Sequence, residues 1–368
     1  MKAAVISMGS ISSKWIAKAM KKYFEKVDAI NIRNLEVNIE STKYQILYGG
    51  EPLEEYDCIY CRGSFRYSDL LRSITHALSG KVYMPLSGPA FTIGHDKLLT
   101  HLKLGDEKIP MPTTYLASST DAAKKLLKKL NYPIIMKFPQ GTHGKGVMFA
   151  DCYESASSMM DALSALNQPF LLQEYVETGG VDTRAIVAGN KVIAAMQRKA
   201  VQGEKRANIH AGGKGVAAEL DAHTKKIAVQ AAEAVGMDVG AIDILEGTRG
   251  PMVIEVNLSP GLQGITKTTK IDVAEHIAKY LYKKAKEFKE AGKSGEAESV
   301  MKELGVAKAE AEGKQIISSL DFRGERILLP DVITKITKFN EKDEYSIKAD
   351  KGKLEIEKFS DGEEKKKK

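Results

Sequence analysis

The sequence predicts an α/β protein in which a mainly parallel sheet comes first and paired antiparallel strands follow. Three observations support this class. Short apolar strands alternate with amphipathic helical segments over about the first 90 residues. Farther along, turn signals such as Gly189-Asn190 join consecutive strands. In addition, 43% of the 368 residues are apolar, which is enough for a sizeable buried core.

The N-terminal elements predict a first domain over residues 1–90. "KAAVISM" is typical of a strand, and Ser12 or Ser13 is expected to cap a helix that runs to about Lys26. "DAINI" and "YDCIYC" predict two more strands. "GHDKLLTHLKLG" then predicts a short helix, and the proline-rich "IPMPTTYLA" an extended connection.

A second domain is predicted over residues 91–290. From Thr120 the pattern indicates helix "TDAAKKLLKKL", strand "YPIIMKF", a glycine loop, strand "GVMFA", helix 154–166 and strand "FLLQEYV". Two strands in "TRAIVAGNKVIAAMQRKA", helix 222–236, hairpin "GAIDILEGTRGPMVIEVN" and helix 271–290 follow. Residues 291–313 are predicted as a linker, and residues 314–368 as a small β-rich tail with a charged end.

Composition narrows the class of protein. The chain has no apolar run of about 18 residues, so no membrane span is expected. The N-terminus lacks a signal-peptide core, and three cysteines (Cys58, Cys61, Cys152) do not indicate a disulfide framework, so we expect a cytoplasmic protein. The net charge of +7 favours a solvated basic surface over a nucleic-acid site, and it also suits a phosphate-bearing substrate.

The stretch "MKFPQGTHGKGVMF" contains a glycine loop that matches neither common phosphate-binding signature. A Walker loop or a dinucleotide fingerprint needs a helix after its glycines, whereas Val147–Phe149 predicts a strand. A glycine hairpin between two strands can still close over phosphates, although a strained hairpin without a ligand is an equal alternative. Lys137 shares a strand face with Ile135 that could be buried, and a buried lysine needs an anionic partner.

Two further groups of residues could carry chemistry. Asp243, Glu255 and Asn257 fall on one face of the late hairpin if its register centres on Arg249, and they offer the oxygen ligands that Mg²⁺ prefers. A polar outer face of the hairpin is the alternative. "KRANIHAGGKG" could hold an anionic substrate or could be a plain surface loop, and "QEYV" could pair with a base or simply end a strand.

The order of these motifs resembles the ATP-grasp superfamily and, within it, the RimK-type α-L-glutamate ligases. The resemblance covers roughly residues 1–285 and rests on "DKLLTHL", "KFPQGTHGKGV", "QEYV", "VDTRAIVAGNKVIAAMQRKA", "RANIHAGG" and "IDILEGTRGPMVIEVNLSPGLQG". It departs from the family in a shorter "QEYVETGGVD" link and in Ala211, where arginine is often found. The tail matches nothing known in that family.

The resemblance implies an ATP-grasp fold and a role for each matching residue. Residues 1–90 would form the preATP-grasp domain and residues 91–290 the ATP-grasp domain, with a lid near 113–175 and a C-terminal antiparallel-sheet subdomain. The implied nucleotide contacts are Lys97, Lys137, Gly141, Gly144, Gly146, Glu174, Tyr175, Val176 and Asp182. The implied catalytic residues, which would face the γ-phosphate and the acyl group, are Arg198, Arg206 and Asn208. Two Mg²⁺ (or Mn²⁺) ions would be held by Asp243, Glu255 and Asn257.

The resemblance also implies a reaction: an ADP-forming ligase that joins glutamate, or a related amino acid, to a carboxylate through an acyl phosphate. The acceptor could be a protein C-terminus, a coenzyme or an amino-group carrier protein. The alternatives are a nucleotide-binding protein without turnover that docks on RNA or a ribosome, and an ATP-grasp ligase for another amino acid such as D-alanine. A homo-oligomer is compatible with the sequence, which leaves the acceptor, the number of residues added and the role of the tail open.

Overall fold

The structure is a computed structural model. It describes residues 1–41, 43–139, 146–165, 169–199 and 214–303, and in the tail residues 321–323, 326–328, 337, 339–340, 343–350 and 353–358. The chain divides into two compact units, Met1–Ala297 and Glu298–Lys368, which are described separately. Across these described ranges, no helix is both long and apolar enough to cross a membrane.

The larger unit begins with the predicted parallel sheet. Its elements are β1 (Lys2–Ser7), α1 (Ile11–Met20), β2 (Lys26–Asn31), β3 (Leu35–Ile39), β4 (Tyr44–Tyr48), β5 (Glu51–Pro52) and β6 (Cys58–Cys61). Strand β1 lies between β2 and β6 and pairs in parallel with both. Strands β3–β5 form a separate antiparallel sheet that the sequence did not predict, because most of its side chains are exposed and give a weak apolar signal.

Helix α1 begins and ends earlier than expected. Its N-cap is Ser10, whose Oγ accepts a hydrogen bond from the Ser13 amide at 3.2 Å, rather than Ser12 or Ser13. Gly9 precedes it with φ of +75°, a left-handed conformation that favours glycine and turns the chain into the helix. The helix ends at Met20 instead of about Lys26, because β2 starts at Lys26.

A four-stranded antiparallel sheet with its own core follows. The connecting helices are α2 (Ser68–Ala77), α3 (Gly88–Ile93) and α4 (Lys97–Asp106). The sheet region comprises β7 (Thr114–Tyr115), α5 (Thr120–Leu127), β8 (Ile134–Lys137), β9 (Val147–Ala150), α6 (Tyr153–Ala165) and β10 (Leu171–Glu174), with strand order β7-β10-β8-β9. Its apolar cluster is separate from the main core and consists of Ala123, Leu127, Ile134, Met136, Ala150, Ala156, Met160, Leu163 and Leu172.

The glycine stretch joins two antiparallel strands, as predicted. Lys137 at the end of β8 pairs with Val147 at the start of β9. Gly146 has φ of +74°, and an added Cβ would lie 2.1 Å from the Phe138 ring, so only glycine fits there. The chain therefore reverses between two strands, as a hairpin over a ligand would require.

A five-stranded antiparallel sheet completes the larger unit. Its elements are β11 (Val181–Ala188), β12 (Lys191–Lys199), β13 (Lys214–Ala217), α7 (Ala222–Val235), β14 (Val239–Gly247) and β15 (Gly250–Asn257), with strand order β13-β12-β11-β14-β15. Helix α7 ends at Gly236, which is left-handed at φ of +79°. Helix α7 buries Ile227, Ala228 and Ala231 in the main core.

Two helices end the larger unit and differ from the expectation. Helix α8 (Gln263–Thr269) was not predicted. Helix α9 runs from Val273 to Glu303 rather than over 271–290, so residues 291–303 of the predicted linker are helical. The glycines in "EAGKSGEAES" suggested a linker, but the alanine, lysine and glutamate around them favour a helix.

The smaller unit contains the β-structure expected of the tail. Strands β16 (Asp321–Arg323) and β17 (Arg326–Leu328) form one antiparallel hairpin, and β18 (Tyr345–Asp350) and β19 (Lys353–Lys358) form another. Two of the alternating stretches, "ERILLP" and "KLEIEKF", supply β17 and β19. Most of "VITKITKF" lies outside the described residues.

Candidate functional site

One face of the five-stranded sheet collects most of the charged residues predicted to act. Asp182 on β11 lies opposite Arg198 on β12, and Arg184 on β11 lies opposite Asp243 on β14. Residues two apart on a strand point to the same side, so these four side chains share one face of the sheet. On β15, Glu255 lies opposite Asp243 and extends the set.

A β-bulge near Ile254 sets the register at the metal-candidate residues. Close to the turn, Ile244 pairs with Val253, and continuing that register would place Ile254 opposite Asp243. The register shifts by one residue at this point, so Glu255 faces Asp243 and Asn257 faces Ala241. This is the register expected for a hairpin centred on Arg249, and the bulge produces it.

Buried ion pairs link the four charged residues. Arg198 donates to both carboxylate oxygens of Asp182 at 2.6 and 2.5 Å, and Arg184 does the same to Asp243 at 2.7 and 2.6 Å. Arg198 also approaches Asp243 at 2.9 Å. Burial alone would raise the pKa of Asp243, but Arg184 and Arg198 outweigh it and hold that pKa below its usual range. Two arginines and two aspartates thus balance each other inside the protein.

Arg184 is a site residue that sequence reasoning missed. The available signal was its spacing, because Arg184 follows Asp182 by two residues on a strand with apolar neighbours. Such spacing places both side chains on one face. What the sequence did not show was that the facing residue on β14 is Asp243.

The metal-candidate residues offer the oxygen atoms that Mg²⁺ prefers, but they supply ligands from only three side chains. Asp243 is buried, and Glu255 and Asn257 are half-buried. Asp243 Oδ1 accepts only one of the three arginine contacts, from Arg184 Nε, so it keeps a lone pair. Among the residues that the structure describes, no group of three or more His, Cys, Asp or Glu side chains could hold a metal ion. Two carboxylates and an amide oxygen fit Mg²⁺ when phosphate oxygens complete its shell.

Lys137 is buried at the end of β8, where Glu255 of the five-stranded sheet lies near enough to affect its pKa. Its ammonium group donates to Gln173 Oε1 at 3.0 Å, and the Gln173 amide donates in turn to Thr114 Oγ1 at 2.7 Å. Burial, followed by the charge of Lys97, lowers the pKa of Lys137 to about 7, and Glu255 partly opposes this. Within the described ranges Lys137 makes no ion pair, and its hydrogen-bond partner is a neutral amide.

Helix α4 brings Lys97 and an unforeseen histidine to the same place. The Lys97 amide donates to the Pro139 carbonyl at 2.9 Å, which ties the start of α4 to the chain just after β8. His101, one turn later, is only 3% exposed; its ring lies close to the Ile254 backbone, but neither ring nitrogen meets full hydrogen-bond geometry with a described residue. Burial, then the charge of Lys137, lowers its pKa to about 3, so the ring is neutral near pH 7. Nothing in the sequence marks His101 as buried, because the ten residues of α4 are too few to define a buried face by periodicity.

The residues predicted to frame the base lie where β10 leaves the four-stranded sheet. Glu174 forms an ion pair with Arg249 in the β14–β15 turn, and the Tyr175 ring meets Phe149 edge-on at a centroid distance of 5.3 Å. Val176 packs closely against Gly247, where an added Cβ would lie 2.6 Å from Val176 Cγ1. The contacts of Glu174 and Val176 bring this segment to the turn of the β14–β15 hairpin, while Tyr175 packs against β9.

The loop after Asn257 is fastened to the N-terminal parallel sheet. Arg62, 3% exposed, donates to the Pro260 carbonyl at 2.7 Å, and the Gly63 amide donates to Ser259 Oγ at 3.1 Å. Ser12 Oγ accepts from the Leu262 amide at 2.8 Å. The C-terminal end of β6 and the start of α1 are thus bonded to the loop that follows Asn257, a connection the sequence did not indicate.

Several predicted site residues lie outside the described residues. These are Gly141 and Gly144 in the glycine stretch, and Arg206 and Asn208 in "KRANIHAGGKG". Their assigned roles stay predictions. The remaining candidates, from Lys97 to Asn257, all lie within or beside the two antiparallel sheets and α4.

Comparison with known proteins agrees with this arrangement. A probable alpha-L-glutamate ligase of Legionella pneumophila (strain Paris) is 37% identical over 268 residues, covering 71% of this chain and 88% of that protein. A probable alpha-L-glutamate ligase of Picosynechococcus sp. is 34% identical over 293 residues, covering 77% and 96%. Among solved structures, the ATP-grasp ligase PsnB complexed with minimal precursor, Mg and ADP superposes with a TM-score of 0.61 at 17% identity, covering 77% of this chain and 98% of that one.

The fold and the family agree with the resemblance seen in the sequence. The structural likeness confirms the predicted ATP-grasp fold. The family model of the RimK-like ATP-grasp domain matches residues 94–281, which include α4, both antiparallel sheets and α8. The chain therefore belongs to the RimK-like ATP-grasp family and is a ligase that forms carbon–nitrogen bonds.

Proposed function

We propose that this chain is an ATP- and Mg²⁺-dependent carboxylate–amine ligase that adds glutamate to a carboxylate acceptor and releases ADP. The names of the curated relatives support glutamate as the amine substrate. The complex of PsnB with a precursor, Mg and ADP supports a nucleotide and a magnesium ion at the corresponding site. The protein's own geometry supports the same reaction independently of those names.

The buried lysine is the observation that carries the proposal. Lys137 is 5% exposed, and among the described residues its one hydrogen-bond partner is the neutral Gln173 amide, with the charges of Lys97 and Glu255 nearby. A buried ammonium group is costly unless an anion compensates it. The phosphates of ATP supply that anion, and they would lie between β8 and the face of the five-stranded sheet.

The remaining nucleotide contacts follow from this placement. Lys97 joins Lys137 at the phosphates, Glu174, Tyr175 and Val176 frame the adenine, and Asp182 holds the ribose hydroxyls. Asp182 already accepts two hydrogen bonds from Arg198, so the ribose would use its remaining lone pairs. The hairpin that contains Gly141, Gly144 and Gly146 closes over the phosphates and excludes water.

Asp243, Glu255 and Asn257 hold the metal in this proposal, as two Mg²⁺ ions or Mn²⁺ in their place. Bound metal neutralises phosphate charge and orients the transferred group. Arg184 keeps the Asp243 carboxylate ionised and fixed in orientation. The Ile254 bulge keeps Glu255 directly across from it.

The proposed reaction has two steps. An oxygen of the acceptor carboxylate forms a bond to the γ-phosphorus of ATP, the bond from that phosphorus to the β–γ bridging oxygen breaks, and ADP leaves. The glutamate nitrogen then bonds to the acyl carbon as the carbon–oxygen bond to phosphate breaks, and an amine proton is released. Arg198, Arg206 and Asn208 hold the transferred phosphate and the acyl group, so catalysis depends on positioning and charge neutralisation.

The domain arrangement is part of the proposal. Residues 1–90 act as the preATP-grasp domain, residues 91–290 as the ATP-grasp domain with a lid near 113–175, and residues 314–368 as an appendage beyond α9. The separate core of the four-stranded sheet supports a lid that moves as one body.

Trapping of the acyl phosphate tests the function. The full chain is incubated with ATP, Mg²⁺, hydroxylamine and a panel of acceptors: polypeptides with free C-termini, carboxylate coenzymes and an amino-group carrier protein. The expected result is ADP and a hydroxamate with one acceptor class, and an amide when glutamate replaces hydroxylamine. Absence of ADP with every acceptor overturns the proposal.

Two matched variants test the metal assignment. Glu255→Gln should lower ADP formation by about 100-fold or more while ATP still binds, because the lost charge acts on the transferred phosphate. Glu246→Gln, an exposed residue of the same hairpin, should leave turnover unchanged. Normal turnover in Glu255→Gln would exclude Glu255 as a metal ligand.

A further inference from the structure

Helix α1 carries an exposed face with a distinctive composition. Among residues 11–22, every exposed residue is apolar or basic: Ile11, Lys14, Trp15, Lys18, Lys21 and Lys22. At 100° per residue the four positions within α1 fall within an arc of about 100°, and Lys21 and Lys22 continue this stripe in the turn that follows the helix. Trp15 is 38% exposed and Ile11 is 54% exposed, and together they provide an apolar centre.

The segment that carries this stripe has no acidic residue of its own. The sequence contains no aspartate or glutamate before Glu25. Lys22 pairs with Glu275 at 2.6 Å, whereas Lys14, Lys18 and Lys21 make no ion pair with any described residue. Three lysines beside an exposed tryptophan attract an acidic partner and give it an apolar anchor.

The stripe starts beside the proposed reaction site. Ser12, on the buried side of the first turn, binds the Leu262 amide and Gln263 Oε1, each at 2.8 Å. Ser13 Oγ accepts from Arg62 Nε at 3.2 Å, and Arg62 reaches the Pro260 carbonyl. These bonds fix the first turn of α1 to the loop that follows the metal candidate Asn257.

Resting on the proposed function, we propose that the exposed stripe of α1 is the docking surface for an acidic polypeptide acceptor. From Ile11 to Lys22 the stripe is about 16 Å long, at about 1.5 Å per helical residue. An extended peptide covers that length with about five residues, at roughly 3.3 Å each. Acidic residues a few positions before the reacting carboxylate of the acceptor would therefore lie on the lysines of α1.

Binding can be measured without turnover, because Trp15 is the single tryptophan of the chain. The probe is a 12-residue peptide with five glutamates next to its free C-terminus, and the control peptide has glutamine in their place. We expect the acidic peptide to change Trp15 fluorescence saturably, to bind at least tenfold more tightly than the glutamine peptide, and to lose affinity with added salt. Equal affinity for the two peptides overturns the proposal.

Charge reversal on the stripe supplies the second arm. The double variant Lys14→Glu/Lys18→Glu should lower kcat/KM for the acidic acceptor at least tenfold and leave the Kd for ATP unchanged. Lys225→Glu/Lys226→Glu, exposed lysines on α7, is the control and should behave as wild type. An unchanged kcat/KM in the α1 variant overturns docking while leaving the ligase function intact. If the acidic peptide binds but no ADP forms, the proposed ligase function is overturned while the α1 stripe stands as a peptide-binding surface.

A nucleic-acid partner is the remaining outcome. A single-stranded RNA of matched charge is titrated at the same ionic strength. If the RNA binds α1 more tightly than the acidic peptide, and the Lys14→Glu/Lys18→Glu variant loses it, the stripe is a nucleic-acid surface and the proposal is wrong. Weaker RNA binding, unaffected by these variants, supports the acidic polypeptide.

Discussion

Lys137 lies where its ammonium group meets a neutral amide, a second lysine and a carboxylate. Burial lowers its pKa from 10.5 to about 7. Between these two values the unfolded chain binds more protons at this residue than the folded chain does. The contribution of Lys137 to the free energy of unfolding therefore grows as pH rises from about 7 to about 10.5.

The same shift predicts the pH dependence of ATP binding. Above about pH 7 the free protein holds Lys137 neutral, and bound phosphates would restore its proton. ATP binding at pH 8 should therefore take up close to one proton at this residue, and affinity should fall by up to about tenfold per pH unit. Calorimetry in two buffers of different ionisation enthalpy measures the uptake. Lys137→Met is the control, and an unchanged proton count in that variant would contradict the assignment.

Arg184 predicts a large effect on stability. Arg184→Met would leave the buried Asp243 carboxylate with Arg198 alone, while Arg198 also serves Asp182. Breaking a buried pair costs about 3–5 kcal/mol, so we expect a loss of that order in the free energy of unfolding, measured with urea. Arg249→Met removes an ion pair in which Arg249 is 62% exposed, and it should cost about 1 kcal/mol or less. Equal losses of unfolding free energy in the two variants would mean that the buried ion pairs contribute no more to stability than the exposed one.

At the scale of elements, the strand–glycine–strand hairpin was predictable from the sequence. Apolar residues flank the glycines on both sides, and neither flank has helical spacing. The β14–β15 hairpin was predictable for the same reason. The bulge at Ile254 was not, because nothing in the alternation of "VIEVN" marks an extra residue. The β3–β5 sheet was missed because most of its side chains are exposed, and α8 because seven residues are too few to show helical periodicity.

Contacts between elements were beyond sequence reasoning for a different reason. Arg184 meeting Asp243, Arg62 meeting Pro260 and His101 lying near Lys137 each depend on which elements become neighbours in space. Lys137, Asp243 and Glu255 could be identified as candidates from the sequence because each is a charged residue within an otherwise apolar strand. The sequence supplied no partners for them.

The close approach of the β14–β15 turn to Val176 predicts an effect on nucleotide binding. In Gly247→Ala the new methyl group would lie 2.6 Å from Val176 Cγ1, so the segment after β10 must shift. We expect KM for ATP to rise several-fold with little change in kcat, since the segment is proposed to contact the base and not the phosphates. Val176→Ala removes the obstructing atom, so the double variant should match Val176→Ala alone. A double variant as impaired as Gly247→Ala would refute this steric explanation.

At the scale of the whole molecule, the division into two units predicts that the tail can be removed. The unit Met1–Ala297 contains both apolar cores. A chain ending at Ala297 should keep its thermal midpoint within a few degrees and its Kd for ATP within about twofold. A chain ending at Thr269 also loses Val273, Ile277 and Leu281 from the main core and should unfold. If the chain ending at Ala297 unfolds as the chain ending at Thr269 is expected to, residues 298–368 stabilise the ligase unit.

The separate core beneath the four-stranded sheet has a mechanical consequence. Because Leu127, Met136 and Met160 pack among themselves and not into the main core, swinging this sheet leaves both interiors intact. The energy landscape for such a swing is set by the few chain segments that cross between the cores and by polar contacts such as Arg249–Glu174. In hydrogen exchange, amides of β8 and β10 should form one cooperative opening group, distinct from that of β11 and β14. The four-stranded and five-stranded sheets would then move as two rigid bodies joined by a flexible boundary, and the proposed nucleotide site would lie at that boundary.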